Sequence, residues 1–276
     1  MEPSKILEKD PGDVEAFYNE FSKKFIDDIV EGNERVARQL KFFGKAIPTT
    51  TQRVLIVGFG SGETAYFIAN EIAPRAKIFA VDVSAECLRL ARSLFPHSRI
   101  EYRNENVLTT SIEGQWEVVV LPDVYEHIPM GSRKTLHEKL DRALTDNGRI
   151  LLTIPSPGKQ ESLRAIGSGL QIVDETVTLD DLIEMATDVG GLLTYFNMIS
   201  VWETDDYIHA AIQRGAERVR SIQPPDLIPL KGWPRRTLWM RAKDFLDYRL
   251  SFAKVRYGLR RSRVTRKLHR TSNENP

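Results

Sequence analysis

Residues 53–64, Arg-Val-Leu-Ile-Val-Gly-Phe-Gly-Ser-Gly-Glu-Thr, restrict what this chain can fold into more than any other stretch. The uninterrupted apolar run over 54–57 reads as a parallel strand covered on both faces. Gly58, Gly60 and Gly62 then allow a tight turn and let bare backbone approach a ligand, before Glu63-Thr64-Ala65 opens a helix. A glycine-rich turn alone is a weak signal. It gains weight from Ile78-Phe79-Ala80-Val81-Asp82, a second apolar run ending in a carboxylate one helix and one return strand later. A carboxylate at that place can accept hydrogen bonds from both hydroxyls of a ribose.

The spacing separates two kinds of nucleotide ligand. The dinucleotide fingerprint is G-x-G-x-x-G, which leaves a helix N-terminus free for pyrophosphate; this chain has G-x-G-x-G followed at once by Glu63. A carboxylate in that first turn complements the helix dipole but repels a diphosphate. It suits a ligand carrying a positive sulfonium and ammonium. This pattern, with Asp82, resembles motif I and the acidic end of strand two in class I S-adenosylmethionine (SAM)-dependent methyltransferases. The resemblance continues through three further segments in the right order. Ile100-Glu101-Tyr102-Arg103-Asn104-Glu105-Asn106-Val107 is similar to the family's third strand and adenine-contacting loop. The segment 116–129, with Leu121-Pro122-Asp123-Val124-Tyr125-Glu126-His127, is similar to its fourth strand and following loop, and 144–155 to its fifth strand.

The resemblance implies an α/β fold: a doubly wound, Rossmann-like seven-stranded sheet with an antiparallel last strand, an N-terminal helical lid and a C-terminal basic helix. It implies SAM as the cofactor, with Gly58, Gly60 and Gly62 around the methionine part, Asp82 on the ribose, Asn106 and Val107 at the adenine, and Asp123 beside them. Two positions depart from the pattern. Many family members carry an acid where this chain has Ile56, and Asp where it has Asn106; an Asn side-chain oxygen can still accept from the adenine amino group. Aminopropyl transferases that use decarboxylated SAM prefer an Asp after the glycine pair, where this chain has Ser61.

Methyl transfer asks little of a protein beyond alignment and, for a hydroxyl acceptor, removal of its proton. Asp123, Tyr125, Glu126 and His127 are concentrated in the loop after strand four, at the sheet edge where doubly wound folds bind ligands. His127 is the natural general base, with Glu126 beside it; the alternative is a structural strut. Asp123-x-x-Glu126-His127 also resembles the Glu-x-x-Glu-His loop that binds a divalent cation in ubiquinone-pathway O-methyltransferases, which makes Asp123, Glu126 and His127 candidate ligands for Mg²⁺. His209 reads as a satisfied strand residue, and His97 and His137 as surface residues. Base methylation is disfavoured: no Asn/Asp-Pro-Pro-Tyr/Phe follows strand four, and the single cysteine, Cys87, belongs to a helix. The expected function is O-methylation of a small-molecule, sugar or lipid-linked hydroxyl. N-methylation of a small molecule, or a non-catalytic scaffold at a membrane or glycan-assembly complex, are the alternatives.

The 276 residues, 41% hydrophobic, allow one SAM-binding domain over 48–215 with appendages: a helical lid over 1–47 and an extension over 216–276. Phe17, Phe21 and Phe25 repeat at helical spacing, so that Tyr18 and Phe21 serve either as a lid or as plain helix packing. A polar stretch runs to about 170, a helix is expected over 178–188, and two strands over 192–202 and 207–213. From 235 a basic amphipathic pattern carries Phe245, Tyr248, Phe252, Val255 and Leu259. It packs on the body, meets an anionic membrane surface or pairs with a partner helix, and nucleic acid is the less favoured partner. Eight Lys or Arg lie between Lys254 and Arg270, leaving about −7 on the remainder of a chain whose net charge is +1. With no run long enough to span a bilayer and no disulfide pair, a cytoplasmic location is expected, peripheral to the inner face of a membrane if the basic helix binds it.

Overall fold

The computed structural model describes residues 17, 24–167, 171 and 173–215. Tyr18, Phe21 and the basic stretch from 235 onward lie outside the described residues. A helical segment over 24–31 (α1) is followed by α2 (Glu34–Ala46). Asn33 caps α2, its side-chain oxygen accepting from the N–H groups of Arg35 and Val36. Strand β1 (Arg53–Val57) leads through the glycine turn into α3 (Glu63–Phe67), which continues as a π-turn over Ile68–Ile72. Then come β2 (Lys77–Asp82), α4 (Ala85–Leu94), β3 (Ile100–Asn104), β4 (Trp116–Pro122), a 3₁₀ turn (Tyr125–His127), α5 (Met130–Ala143) and β5 (Leu144–Pro155). The chain closes with α6 (Pro157–Ile166), α7 (Leu179–Asp188), β6 (Gly191–Ile199) and β7 (Tyr207–Arg214).

The strands form one sheet in the order β3-β2-β1-β4-β5-β7-β6. The first five are parallel; β7 runs antiparallel to β5, and β6 antiparallel to β7. Alternate residues of the central strands go to opposite layers. Leu55, Val57, Val119 and Leu121 pack with Leu136 and Leu140 of α5 and Leu182 and Met185 of α7. Val54, Ile56, Val118 and Val120 pack with Phe43 of α2, Ile68 and Ala91. The chain winds one way from β1 to β3 and then returns to lay β4 on the other side of β1. The crevice at the carboxyl ends of β1 and β4 is therefore the switch point where such sheets bind ligands.

The polar stretch after Pro155 forms helix α6. Ser156 caps it by accepting from the Lys159 N–H, and Pro157 sits at its first position, where the missing donor costs nothing. The helix at 178–188 is as expected, closed by a reciprocal capping box between Thr178 and Asp181. Among the described residues no helix is long and apolar enough to cross a membrane.

Candidate active site

The glycine turn takes three left-handed residues in five positions: Gly58 at φ 76°, Gly60 at φ 53° and Gly62 at φ 87°. Two of them also lack room for a side chain. A Cβ on Gly58 would come within 2.2 Å of Val124 Cγ2, and one on Gly62 within 2.7 Å of Ala91 Cβ. The turn is pinned to β2 by the Gly58 N–H on the Val81 carbonyl (2.8 Å) and by the Gly60 N–H on Asp82 Oδ2 (2.9 Å). Asp82 Oδ1 accepts the Ser84 N–H at 3.0 Å. Burial pushes the Asp82 carboxyl up to about 6 against the lowering pull of its backbone N–H donors. Ile56, where the family's acid would stand, is fully buried among the residues under α2 and α3, so a carboxylate there would face the core.

Turn, β2 end and β4 loop line one cavity of about 1590 Å³. Small-molecule pockets run to about 1,000 Å³, so a cofactor and a second ligand fit together. Gly58, Gly60, Asp82, Asn106, Val107, Asp123 and His127 all border it, as do Phe25, Asp28 and Glu63 at the turn. Glu63 has its carboxyl raised by burial and by Asp28, so that end of the cavity disfavours added anions. Asn106 Oδ1 accepts the Leu108 N–H at 2.9 Å, which holds the loop beside Val107 and leaves the oxygen one further lone pair.

Asp123 adopts φ 53°, unusual for a residue other than glycine. Its backbone N–H donates to the Thr153 carbonyl (2.8 Å), its Oδ1 accepts the Thr153 hydroxyl (3.0 Å), and Arg35 forms an ion pair with Oδ2. Gln39, one turn beyond Arg35, donates to Thr153 Oγ1 at 2.9 Å. Helix α2 is thus tied to the β4 loop by residues that carry no motif. Arg35, Gln39 and Thr153 were not legible in the sequence, because only folding brings α2 over β4 and β5.

In the 3₁₀ turn that follows, His127 Nδ1 lies 2.7 Å from the Val173 carbonyl. A carbonyl cannot donate, so the proton is on Nδ1 and the lone pair on Nε2. Burial lowers the His127 pKa and keeps the ring neutral. Glu126 is 2% exposed, its Oε1 is 3.8 Å from His127 Nε2 and its Oε2 has no partner. Burial pushes that carboxyl up to about 8. Asp123, Glu126 and His127 do not make the expected cation site. Asp123 is engaged by Arg35 and Thr153, and Glu126 does not line the cavity. Among the described residues no group of three or more His, Cys, Asp or Glu could hold a metal.

His137, expected at the surface, is 1% exposed. Its Nδ1 donates to Asp188 Oδ2 (2.7 Å), which leaves Nε2 to accept the Tyr125 hydroxyl (2.9 Å). Arg133 covers the Tyr125 ring at 4.8 Å and donates to Asp181 at 2.7 Å. The helical period of α5 puts His137 on the same inward face as Arg133, Leu136 and Leu140, a signal present in the sequence. His209 is a buried strand residue stacked on Phe42 at 4.8 Å, its pKa pushed down to about 4 by burial. Cys87 is buried in α4, and burial raises its thiol pKa.

A family model described as a methyltransferase domain matches residues 54–148, the span from β1 to the start of β5. With the sheet order and the glycine cradle, this gives the chain a SAM-dependent methyltransferase domain, a catalytic unit whose cofactor is SAM. No curated protein matches the sequence. Among solved structures, DhpI in complex with S-adenosylhomocysteine (SAH) is similar at TM-score 0.59 and 16% identity, over 74% of this chain and 97% of that one. The N-methyltransferase NodS of Bradyrhizobium japonicum WM9, also with SAH, is similar at TM-score 0.57 and 14% identity, over 72% and 99%. A putative O-methyltransferase from Nostoc punctiforme PCC 73102 follows at 0.55 and 17%, over 71% and 60%. At these identities the likeness is one of fold.

Proposed function

We propose that this methyltransferase acts on a hydroxyl oxygen of a small molecule, with a sugar or lipid-linked alcohol as the acceptor class, and that His127 is its general base. The observation that carries this is the 2.7 Å contact of His127 Nδ1 with the Val173 carbonyl, which presents a neutral ring with a basic Nε2 at the cavity wall. A hydroxyl nucleophile needs such a base, whereas a free amine already has its lone pair.

SAM, when bound, supplies an activated methyl group on a sulfonium. Gly58 and Gly60 leave room for its methionine part, Gly62 lets the turn pack against α4 instead of bordering the cavity, Asp82 faces the ribose, and Asn106 and Val107 flank the adenine. Glu63 and Asp28 favour the cation. The acceptor oxygen would take this methyl group, and the C–S electron pair would remain on the sulfur of SAH. The hydroxyl proton passes to His127 Nε2, and the Val173 carbonyl, accepting from Nδ1, stabilises the resulting imidazolium. Helices α1 and α2, which bring Phe25, Asp28, Arg35 and Gln39 to the cavity wall, act as its lid, and a cytoplasmic place of action belongs to the same reading.

The test is transfer of isotopically labelled methyl from SAM to a metabolite pool, together with SAM titration by calorimetry. His127→Ala is expected to keep SAM affinity within a factor of two and lose about 10²- to 10⁴-fold in transfer. Unchanged transfer removes His127 as base, and no SAM binding by the wild type removes the whole reading.

A further inference from the structure

The sheet ends at β6, and part of its surface there is bare. Residues paired across two strands share a face of the sheet. Phe196 and Met198 of β6 stand opposite Ala210 and Ile208 of β7, which pack in one layer with Leu182 and Met185 of α7. Both therefore lie on the α7 side of the sheet, yet they are 38% and 42% exposed. Helix α7 faces α5 with Asp181 and Asp188, which meet Arg133 and His137. The helical period turns Leu179 and Ile183 to the opposite flank, toward the β6 edge, and each is 46% exposed. Next to them round the helix come Asp180 and Glu184, also exposed; α7 has four acids and no Lys or Arg. An exposed apolar patch with a polar rim is the mark of a docking surface, and here the rim is acidic.

The sequence supplies a segment with the complementary pattern. Phe245, Tyr248, Phe252, Val255 and Leu259, outside the described residues, recur at alternating spacings of three and four, and Arg249 and Arg256 border that stripe on the same side. The chain also leaves the sheet beside the patch. Arg214, the last residue of β7, pairs with Gly191, just past the end of α7. The 25 residues 216–240 then lead to the segment that carries the stripe. A tether holds such a segment at a local concentration on the order of millimolar, which a second copy in dilute solution does not reach. We propose that 245–259 docks within its own chain on the patch of Leu179, Ile183, Phe196 and Met198, with Arg249 and Arg256 toward Asp180 and Glu184. The basic segment then answers the acids of its own body rather than a membrane or a nucleic acid. This goes beyond the methyltransferase reading and does not rest on it.

The first experiment traps the contact with a disulfide in the full chain, whose own thiol, Cys87, is buried. Ile183→Cys is combined in turn with Tyr248→Cys, Phe252→Cys and Val255→Cys, and each dilute protein is oxidised with copper phenanthroline. The control pairs the same tail thiols with Asn70→Cys, an exposed site on the opposite face of the sheet. Because a disulfide needs Cα atoms within about 7 Å, at least one Ile183→Cys pair is expected to close within the chain about tenfold faster than its control. No pair faster than its control overturns the proposal. So does closure found only between chains, which would assign the patch to a second copy.

The second experiment follows the initial rate of tryptic cleavage after Arg249 and Arg256 by mass spectrometry. Ile183→Asp puts an acid into the apolar patch at an exposed site, and Leu179→Asp is the second variant. Melting followed by circular dichroism checks that both are folded. A docked segment is cut only while it is open, so cleavage is expected to be about tenfold faster in either variant than in the wild type. Equal rates in folded variants overturn the docking. Cleavage slowed only by phosphatidylserine vesicles, alike in wild type and variants, overturns it too and assigns the segment to an anionic membrane. If neither variant folds, the disulfide pairs decide alone.

Discussion

Replacing Glu126 by glutamine isolates the largest electrostatic strain in the site. The carboxyl is 2% exposed, one of its oxygens has no partner, and burial moves its pKa from the ordinary 4.5 to about 8. A carboxyl whose folded value is raised costs nothing below its unfolded value. The cost grows as pH rises between the two values and is complete above the folded one. At about 1.4 kcal/mol per pH unit, wild-type stability should drop by about 3 kcal/mol between pH 4.5 and 7, and by about 5 kcal/mol above pH 8, through this group. Glu126→Gln keeps the shape and removes the titration. Unfolding in urea, followed by circular dichroism at half-unit pH steps, gives the stability difference between variant and wild type. That difference should rise by those amounts in favour of glutamine. Its constant offset reflects the amide's own N–H groups and is not at issue. A difference that stays level from pH 5 to 9 would refute the argument, because it would mean that Glu126 is ionised in the fold at all these values.

Gly58→Ala should leave little folded protein or lose SAM binding, since φ 76° and a 2.2 Å approach to Val124 coincide; calorimetry at the wild-type affinity would show it wrong. Asp82→Ala removes the carboxylate expected to take two ribose hydroxyls, and at about 1.5–3 kcal/mol for each hydrogen bond to a charged group a loss of 100-fold or more in SAM affinity is expected in a titration. Tyr125→Phe breaks the 2.9 Å bond to His137 and strands a buried ring nitrogen, costing about 1–3 kcal/mol in denaturant unfolding while SAM affinity holds. Transfer activity should stay level as pH falls to about 6.5, the ordinary histidine value, because burial holds the His127 pKa lower still; a fall beginning above pH 7 would contradict the neutral ring.

Much of the donor side was legible before folding because it depends on local rules. A buried parallel strand needs a continuous apolar run, and 54–57 supplies it. A turn of left-handed residues needs glycine, and Gly58, Gly60 and Gly62 supply that. The order of the five motif segments carries the parallel half of the sheet, and the capping box at Thr178 marks α7. Helix α6 is signalled by Ser156-Pro157 at its start, while its polar interior gives no apolar stripe to mark its length. His137 was misplaced because its neighbours Lys134, Glu138 and Lys139 are charged, although its helical position faces α7.

What the sequence determined by itself is the fold class and the identity of the donor, since backbone conformation and strand burial are written in short stretches. The acceptor side was decided by tertiary structure. Arg35 meets Asp123 across 88 positions, Gln39 meets Thr153 across 114, and His127 meets Val173 across 46. Polar side chains this far apart have no periodicity or spacing to reveal them, and their partners exist only once α2 and the 173–175 segment have packed against the edge of the sheet.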